Sequence, residues 1–260
     1  MHTWQIILIG LFVYLGSIGS IVGNTLGWYT LGRPLVASFV VGVIMGNVPM
    51  AMTVGIPLQI MYMGNVTPGG AVAWDLSYAT YIGTAGALAF GQGLGVTELI
   101  GLAVVFAGIG GLVGQLMWNV SYALNLPLNR VANKYAAAGE TKKMYIPNVV
   151  LGQLIGFACR FIPAVLVLTT MTVASGQADF ASIIPGWVTT LLGTFGGMMA
   201  ALGMGIILSF LVKKQYHLAI FLLGFILVTY FNLSMMAIAV VSILTAILYF
   251  VVINQEKAEG

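Results

Sequence analysis

The sequence predicts an all-α polytopic membrane protein, and two observations support this prediction. Apolar residues make up 60% of the 260 residues, charged residues make up 6%, and the mean hydropathy is +1.05, whereas soluble domains average about 25% charged residues. The apolar runs reach roughly twenty residues, which is the length of a membrane-spanning helix, while barrel strands alternate over about ten. We therefore predict one membrane domain, residues 1–260, with the lipid bilayer around it.

The predicted spans follow one another along the chain. They cover residues 4–22, two short pieces at 35–46 and 50–63, and then 76–91, 99–124, 147–174, 186–212, 218–231 and 235–253. Each short piece is below the about 20 residues that a crossing needs, so we predict broken or re-entrant helices there. The number of crossings before residue 129 and the side of the N-terminus stay open.

The loops predict which side of the membrane they face. The polar loop 129–146 carries four basic residues and one glutamate, so the positive-inside rule places it in the cytoplasm. The turn 175–182 has one aspartate and no basic residue, which predicts the outside. The net charge of +3 is explained by this topology, and we predict no nucleic-acid partner.

Residues 42–75 form a broken segment in which three prolines and six glycines interrupt apolar sequence. Such backbone is tolerated at membrane depth where it lines a cavity, and it marks binding sites in transporters. We predict that the segment binds a polar solute. The candidate residues are Gln59, Asn65, Thr67 and Asp75.

Each candidate also has a structural interpretation. Asp75 follows a glycine-rich turn and precedes an apolar run, so it fits a helix N-cap as well as a carboxylate that accepts hydrogen bonds from a solute. Gln59 fits either an amide that binds solute hydroxyl groups or an interhelical hydrogen bond. Turn chemistry alone also accounts for Asn65 and Thr67. The sequence leaves these alternatives open.

Arg160 is a second charge within apolar sequence. A charge at mid-membrane costs about 2.5–3.5 kcal/mol, so it needs a cavity or a partner. Pro163 follows three residues later and predicts a kinked helix with freed carbonyl groups. We favour a structural role, in which Arg160 is the partner of a carboxylate or of those carbonyl groups.

Several function classes lack their motifs. The sequence has no P-loop, no GxSxG, no HExxH and no paired carboxylates. The single cysteine, Cys159, excludes an internal disulfide, and the two histidines form no metal motif. We therefore predict no catalytic residue, no metal and no cofactor, and no catalysis by this chain alone.

These residues give the sequence a specific resemblance. Over about residues 5–252 it resembles the enzyme IIC (permease) subunits of the mannose–fructose–sorbose family of the bacterial phosphoenolpyruvate-dependent sugar phosphotransferase system. Five segments carry the resemblance: RPLVASFVVGVIMGN (33–47), VGIPLQIMYMGNVTPGGAVAWD (54–75), IGTAGALAFGQG (82–93), RFIPAVLV (160–167) and LLGFILVTYFNLSMMAIAVVSILTAILY (222–249). The chain departs from the family pattern at Asn47, where Asp is frequent, at Gln59, where Glu is frequent, and at Trp74, where Pro is common.

The resemblance implies an elevator-type sugar permease subunit in the bacterial cytoplasmic (inner) membrane. Implied partners are a IID membrane subunit, soluble IIA and IIB subunits that donate the phosphoryl group to the sugar, and further copies of the IIC/IID unit. It places Gln59, Thr67 and Asp75 in the sugar-contacting region. The implied substrate is a hexose of the mannose, fructose, sorbose or amino-sugar class, and Gln59 leaves the particular sugar open.

Two other functions remain open from the sequence. A stand-alone secondary sugar transporter would need titratable groups along its pathway. Asp75 by itself gives little support for such a pathway. A membrane scaffold or receptor would have no use for the polar, broken segment 42–75.

Overall fold

The computed structural model describes residues 1–63, 74–175 and 186–259, and the regular elements among them are all helical. The helices are α1 (Thr3–Leu15), α2 (Gly23–Leu26), α3 (Pro34–Met45), α4 (Val48–Tyr62), α5 (Leu76–Phe90), α6 (Val96–Ala137), α7 (Gly152–Ser175), α8 (Gly186–Leu211), α9 (Gln215–Thr229) and α10 (Met235–Glu259). A π-helical turn (Gly27–Leu31) follows α2, and two short turns (Thr141–Met144 and Ile146–Leu151) precede α7. The chain divides into two compact units, Met1–Ile206 and Ile207–Gly260.

Two segments of the described chain are long and apolar enough to cross a membrane, Val96–Ala137 and Thr141–Ser175. Helices α1, α3 and α4 have 13, 12 and 15 residues. At 1.5 Å per residue they are about 18–23 Å long, less than the roughly 30 Å of a bilayer core. Gly23–Leu31 and Pro34–Met45 together are long enough, but they meet at an angle of 78°. The predicted interruption of the helices before residue 76 is thus observed.

Helices α3 and α4 form a tight hairpin, and the junction residues explain it. Gly46 ends α3 with a φ of +76°, a left-handed conformation that glycine adopts without strain. The Asn47 side chain caps α4 by accepting a hydrogen bond from the Met50 N–H at 3.2 Å. A Cβ added at Gly42 would lie 2.7 Å from the Cβ of Ala51, so the glycine permits the close approach of the two helices.

Helix α5 is the centre of the first unit. Every residue of this helix except Ala89 is buried, and it packs against α1, α3, α4, α6 and α7. Helix α6 approaches it through glycines, because a Cβ at Gly114 would lie 2.5 Å from the Cβ of Asp75 and 2.7 Å from that of Tyr78. The N-terminal end of α5 is therefore fixed against α6, which positions Asp75 inside the protein.

The predicted ends of α1 and α6 are wrong. Helix α1 ends at Leu15 instead of residue 22, because Gly16 ends it and Gly19 turns the chain with a φ of +74°. Helix α6 continues to Ala137 instead of residue 124, so the first part of the predicted loop 129–146 is helical. That part is rich in alanine, arginine and lysine, which favour helix strongly enough to extend the span beyond its apolar portion.

The second unit contains the helical pair α9 and α10. The turn predicted at residues 232–234 connects them, and Asn232 adopts a left-handed φ of +51° there. Asparagine is among the few non-glycine residues that tolerate this conformation.

Candidate functional site

A buried ion pair joins α5 to α7. Asp75 is the residue immediately before α5, and Arg160 lies in the interior of α7. Arg160 Nη1 donates a hydrogen bond to Asp75 Oδ2 at 2.5 Å, and each side chain is only 4% exposed. Buried charges need such a partner, because transfer of an unpaired ion from water into a protein interior is strongly unfavourable. The pair therefore ties together two helices that are far apart in the sequence.

The other oxygen of Asp75 caps α5. Oδ1 accepts a hydrogen bond from the Ser77 hydroxyl at 2.6 Å and from the Tyr78 N–H at 3.2 Å. Asp75 is thus the N-cap that its sequence context predicted as one of two interpretations. A carboxylate offers about four acceptor positions, so these three hydrogen bonds leave about one for another donor.

Arg160 is held by an aromatic ring as well as by Asp75. Its guanidinium lies over the ring of Trp118 on α6, 4.9 Å from the ring centroid, in cation–π geometry. Its second terminal nitrogen, Nη2, is buried and has no hydrogen-bond partner among the described residues. The guanidinium is consequently fixed in place while part of its donor capacity remains unused.

The carbonyl groups near Pro163 accept hydrogen bonds from Tyr78 and not from the Arg160 side chain. Proline has no N–H, so the carbonyl of Cys159, four residues earlier, loses its helical partner. The hydroxyl of Tyr78 donates to this carbonyl at 3.3 Å and to that of Arg160 at 2.5 Å. Tyr78 thus satisfies the bend in α7, and the Arg160 side chain is free to pair with the carboxylate.

The four predicted binding residues have different surroundings. Asp75 bonds within α5 and to α7, whereas the Gln59 side chain accepts a hydrogen bond from the Leu35 N–H at 3.2 Å, in the first turn of α3. That contact is an interhelical hydrogen bond, one of the two roles considered for Gln59. Asn65 and Thr67 lie outside the described residues.

Ser77 and Trp118 were missed by the sequence reasoning, although one signal could have indicated Trp118. Gly110, Gly114 and Trp118 are spaced by four residues and therefore share one face of α6. The two glycines let that face approach the N-terminal end of α5, which brings Trp118 to the ion pair. Tyr78, whose hydroxyl serves the bend in α7, is completely buried in the core.

The geometry suits binding and positioning. Among the described residues, no three His, Cys, Asp or Glu side chains are grouped so that they could hold a metal ion. The ion pair is neutral as a whole, and its hydrogen bonds fix the position of the α5 end that follows the segment with Asn65 and Thr67.

Similarity to solved structures identifies the general class of this protein. The fold is similar to a chain described as "Structure of membrane protein", with a TM-score of 0.77, 25% sequence identity and 96% coverage of both chains. It is also similar to a chain of the cryo-EM structure of the mannose transporter ManYZ with microcin E492, with a TM-score of 0.54, 25% identity and again 96% coverage of both. The fold is therefore that of a helical membrane protein, and one of its structural neighbours is part of a sugar transporter.

The sequence comparisons then give the family. The model of the family described as the sorbose-specific IIC component of the phosphotransferase system (PTS) matches residues 3–248, so the chain belongs to that family. The mannose-specific EIIC component of Escherichia coli K12 is 27% identical over 95% of this chain and 88% of that protein. The fructose permease IIC component of Bacillus subtilis 168 is 27% identical over 100% and 91%, and the sorbose-specific EIIC component of Klebsiella pneumoniae is 26% identical over 96% and 89%. The chain is a PTS permease subunit, and the stand-alone transporter is the less supported alternative.

Proposed function

We propose that this permease subunit binds a hexose-type sugar at the segment between α4 and α5 and carries it across the bacterial cytoplasmic membrane. The relatives named for mannose, fructose and sorbose support the hexose class. The observation that carries the proposal is the Asp75–Arg160 ion pair, because it anchors one end of this segment within the protein.

The helix residues on either side of the segment are buried, whereas Met63 and Trp74, which adjoin it directly, are 48% and 40% exposed. Tyr62 ends α4 and is 5% exposed, and Asp75 precedes α5 and is 3% exposed. Asp75 retains about one acceptor position for a sugar hydroxyl. Asn65 and Thr67 supply an amide and a hydroxyl, which donate and accept hydrogen bonds as sugar recognition requires.

The lengths of α3 and α4 support a transport mechanism. Two antiparallel helices, each too short to cross the bilayer and joined at Gly46, suit a re-entrant hairpin. In the proposed elevator-type mechanism, the hairpin and the buried α5 move together with the sugar. The hydrogen bond from Leu35 N–H to Gln59 links the two arms of the hairpin and would help them move as one body.

The proposed partners follow from the family. A IID membrane subunit completes the translocation unit, soluble IIA and IIB subunits deliver the phosphoryl group, and the IIC/IID unit forms homo-oligomers. The similarity to a chain of the ManYZ complex supports a membrane partner. The chain is proposed to cross the inner membrane several times, with the basic residues of 129–146 on the cytoplasmic side.

The test is an uptake screen in cells that lack other hexose uptake. The full chain is co-expressed with its IID, IIA and IIB partners, and D-mannose, D-fructose, L-sorbose and N-acetyl-D-galactosamine are supplied in turn. We expect at least one sugar to accumulate as its phosphate, and only when the phosphoryl donor is present. Uptake without the donor, or no uptake of any of these sugars, would contradict the proposal.

Two matched variants test the role of Asp75 in the same screen. Asp75→Asn removes the buried charge, whereas Glu140→Gln makes the equivalent change at a carboxylate that forms an exposed pair with Lys143. With uptake normalised to the amount of each protein in the membrane, we expect a strong loss of uptake and phosphorylation for Asp75→Asn and none for Glu140→Gln.

A further inference from the structure

A cavity lies between α6 and α7. Its volume is about 170 Å³, and its wall includes Trp118, Ser121 and Asn125 of α6 and Gly152, Gly156 and Arg160 of α7. Pockets for drug-sized ligands measure roughly 300–1,000 Å³, so this space suits a smaller molecule.

The two glycines of α7 create the space. Gly152 and Gly156 have the four-residue spacing of small residues that often brings helices into contact. The structure shows otherwise, because a Cβ at Gly156 would meet no atom within 4 Å. A Cβ at Gly152 would lie 3.6 Å from Asn125 Oδ1, in ordinary van der Waals contact. The glycine face of α7 therefore borders an opening.

The polar groups of the wall suit a ligand with hydroxyl groups. Asn125 is oriented by its own hydrogen bond to the Ser121 carbonyl at 2.8 Å, and its amide can both donate and accept. Arg160 is 3% exposed, and its Nη2 has no hydrogen-bond partner among the described residues. The wall thus combines a fixed amide with part of a buried guanidinium group.

The charge of the wall indicates a neutral ligand. Of the residues that line the cavity, Arg160 is the one that carries a formal charge at neutral pH, and Asp75 already neutralises it at 2.5 Å. An anion would therefore find no uncompensated positive charge. Trp118 adds an aromatic surface, as in small-molecule sites that combine apolar walls with a few fixed polar groups.

We propose that this cavity is a second ligand site, which binds a neutral polyhydroxy molecule of monosaccharide size. The choice of a hexose as the ligand rests on the proposed function. Arg160 belongs to the wall and also pairs with Asp75. A ligand in the cavity would therefore affect the position of the N-terminal end of α5.

The test uses tryptophan fluorescence of the purified full chain, titrated with D-mannose, D-fructose and L-sorbose. We expect at least one sugar to cause a saturable change that is absent in Trp118→Phe, where the reporter in the wall is removed. Gly156→Leu fills the cavity and should abolish the change. Gly108→Leu is the matched control, because a Cβ there also meets no atom within 4 Å but Gly108 lies away from the cavity. It should titrate as the unmodified chain does.

A second variant keeps the test decisive if Gly156→Leu does not fold. Asn125→Leu removes the amide from the wall and should weaken binding of the sugar at least tenfold. The proposal is overturned if these variants titrate like the unmodified chain, if no sugar produces a change dependent on Trp118, or if only added phospholipid does so. If uptake depends on the phosphoryl donor but no sugar changes the tryptophan fluorescence, this inference alone is overturned. If a sugar changes the fluorescence in a saturable way but no sugar is taken up, the proposed function alone is overturned.

Discussion

The buried ion pair gives the sharpest test of the structural reasoning. Arg160→Met would leave the carboxylate of Asp75, only 3% exposed, without its charged partner. Removal of one partner from a buried pair costs about 3–5 kcal/mol, and loss of the contact with Trp118 adds about 0.5–2 kcal/mol. Asp75→Asn should lower the free energy of unfolding by a similar amount, about 3–5 kcal/mol, because the charge of Arg160 then has no counter-charge. The amide oxygen of the new asparagine can still cap α5.

The double variant Asp75→Asn/Arg160→Met distinguishes a specific pair from two independent effects. Neither side chain then carries a charge, so the double variant should be less destabilised than the sum of the single variants by up to about 3 kcal/mol. The measurement is the free energy of unfolding of the purified chain in mixed micelles with increasing sodium dodecyl sulfate. Additive single effects, or an Arg160→Met chain within about 1 kcal/mol of the unmodified chain, would refute the reasoning.

The same double variant separates the structural role of Asp75 from a role in sugar binding. If the carboxylate contacts the sugar, as proposed, the double variant should regain stability but still fail in uptake. If uptake returns with stability, Asp75 acts only by fixing the end of α5.

Three further predictions test the surroundings of the site. Gly114→Ala should destabilise the chain by about 1–3 kcal/mol in the same unfolding assay, because its Cβ would lie 2.7 Å from that of Tyr78; Gly108→Ala is the control and should have a far smaller effect. Tyr78→Phe should cost about 1 kcal/mol through loss of the 2.5 Å hydrogen bond to the Arg160 carbonyl, and an unchanged free energy would show that bond to be unimportant. Gln59→Glu keeps an acceptor oxygen for the Leu35 N–H, so the uptake screen should show a shifted sugar preference at normal protein level; an unchanged preference would assign Gln59 to the hairpin alone.

Much of the helical architecture was predictable from local sequence. Hydropathy located most of the helices, and the ends of the apolar runs located the break between α3 and α4 and the turn at residues 232–234. These features depend on a few neighbouring residues, which is why sequence alone sufficed. The boundaries of α1 and α6 were less predictable, because helix propensity and glycine conformation outweighed hydropathy there.

The candidate site was only partly predictable. The sequence identified Asp75 as a cap and as a charge within apolar surroundings, and it indicated that Arg160 needed a partner. It could not show that the two residues pair, because 85 residues separate them and their contact depends on how α5 and α7 pack. It also could not show that Tyr78 serves the bend at Pro163, since that hydrogen bond joins the same two helices.

The sequence by itself thus determined that the chain is a helical membrane protein of this sugar permease family, with a broken polar segment before Asp75. Composition and local motifs contain that information, because hydropathy and backbone preferences act over short distances. Only the tertiary structure decided that Arg160 neutralises Asp75, that Trp118 stacks on Arg160, and that the glycines of α7 border a cavity. The physical reason is that charge pairing, stacking and cavities are properties of surfaces brought together from different helices.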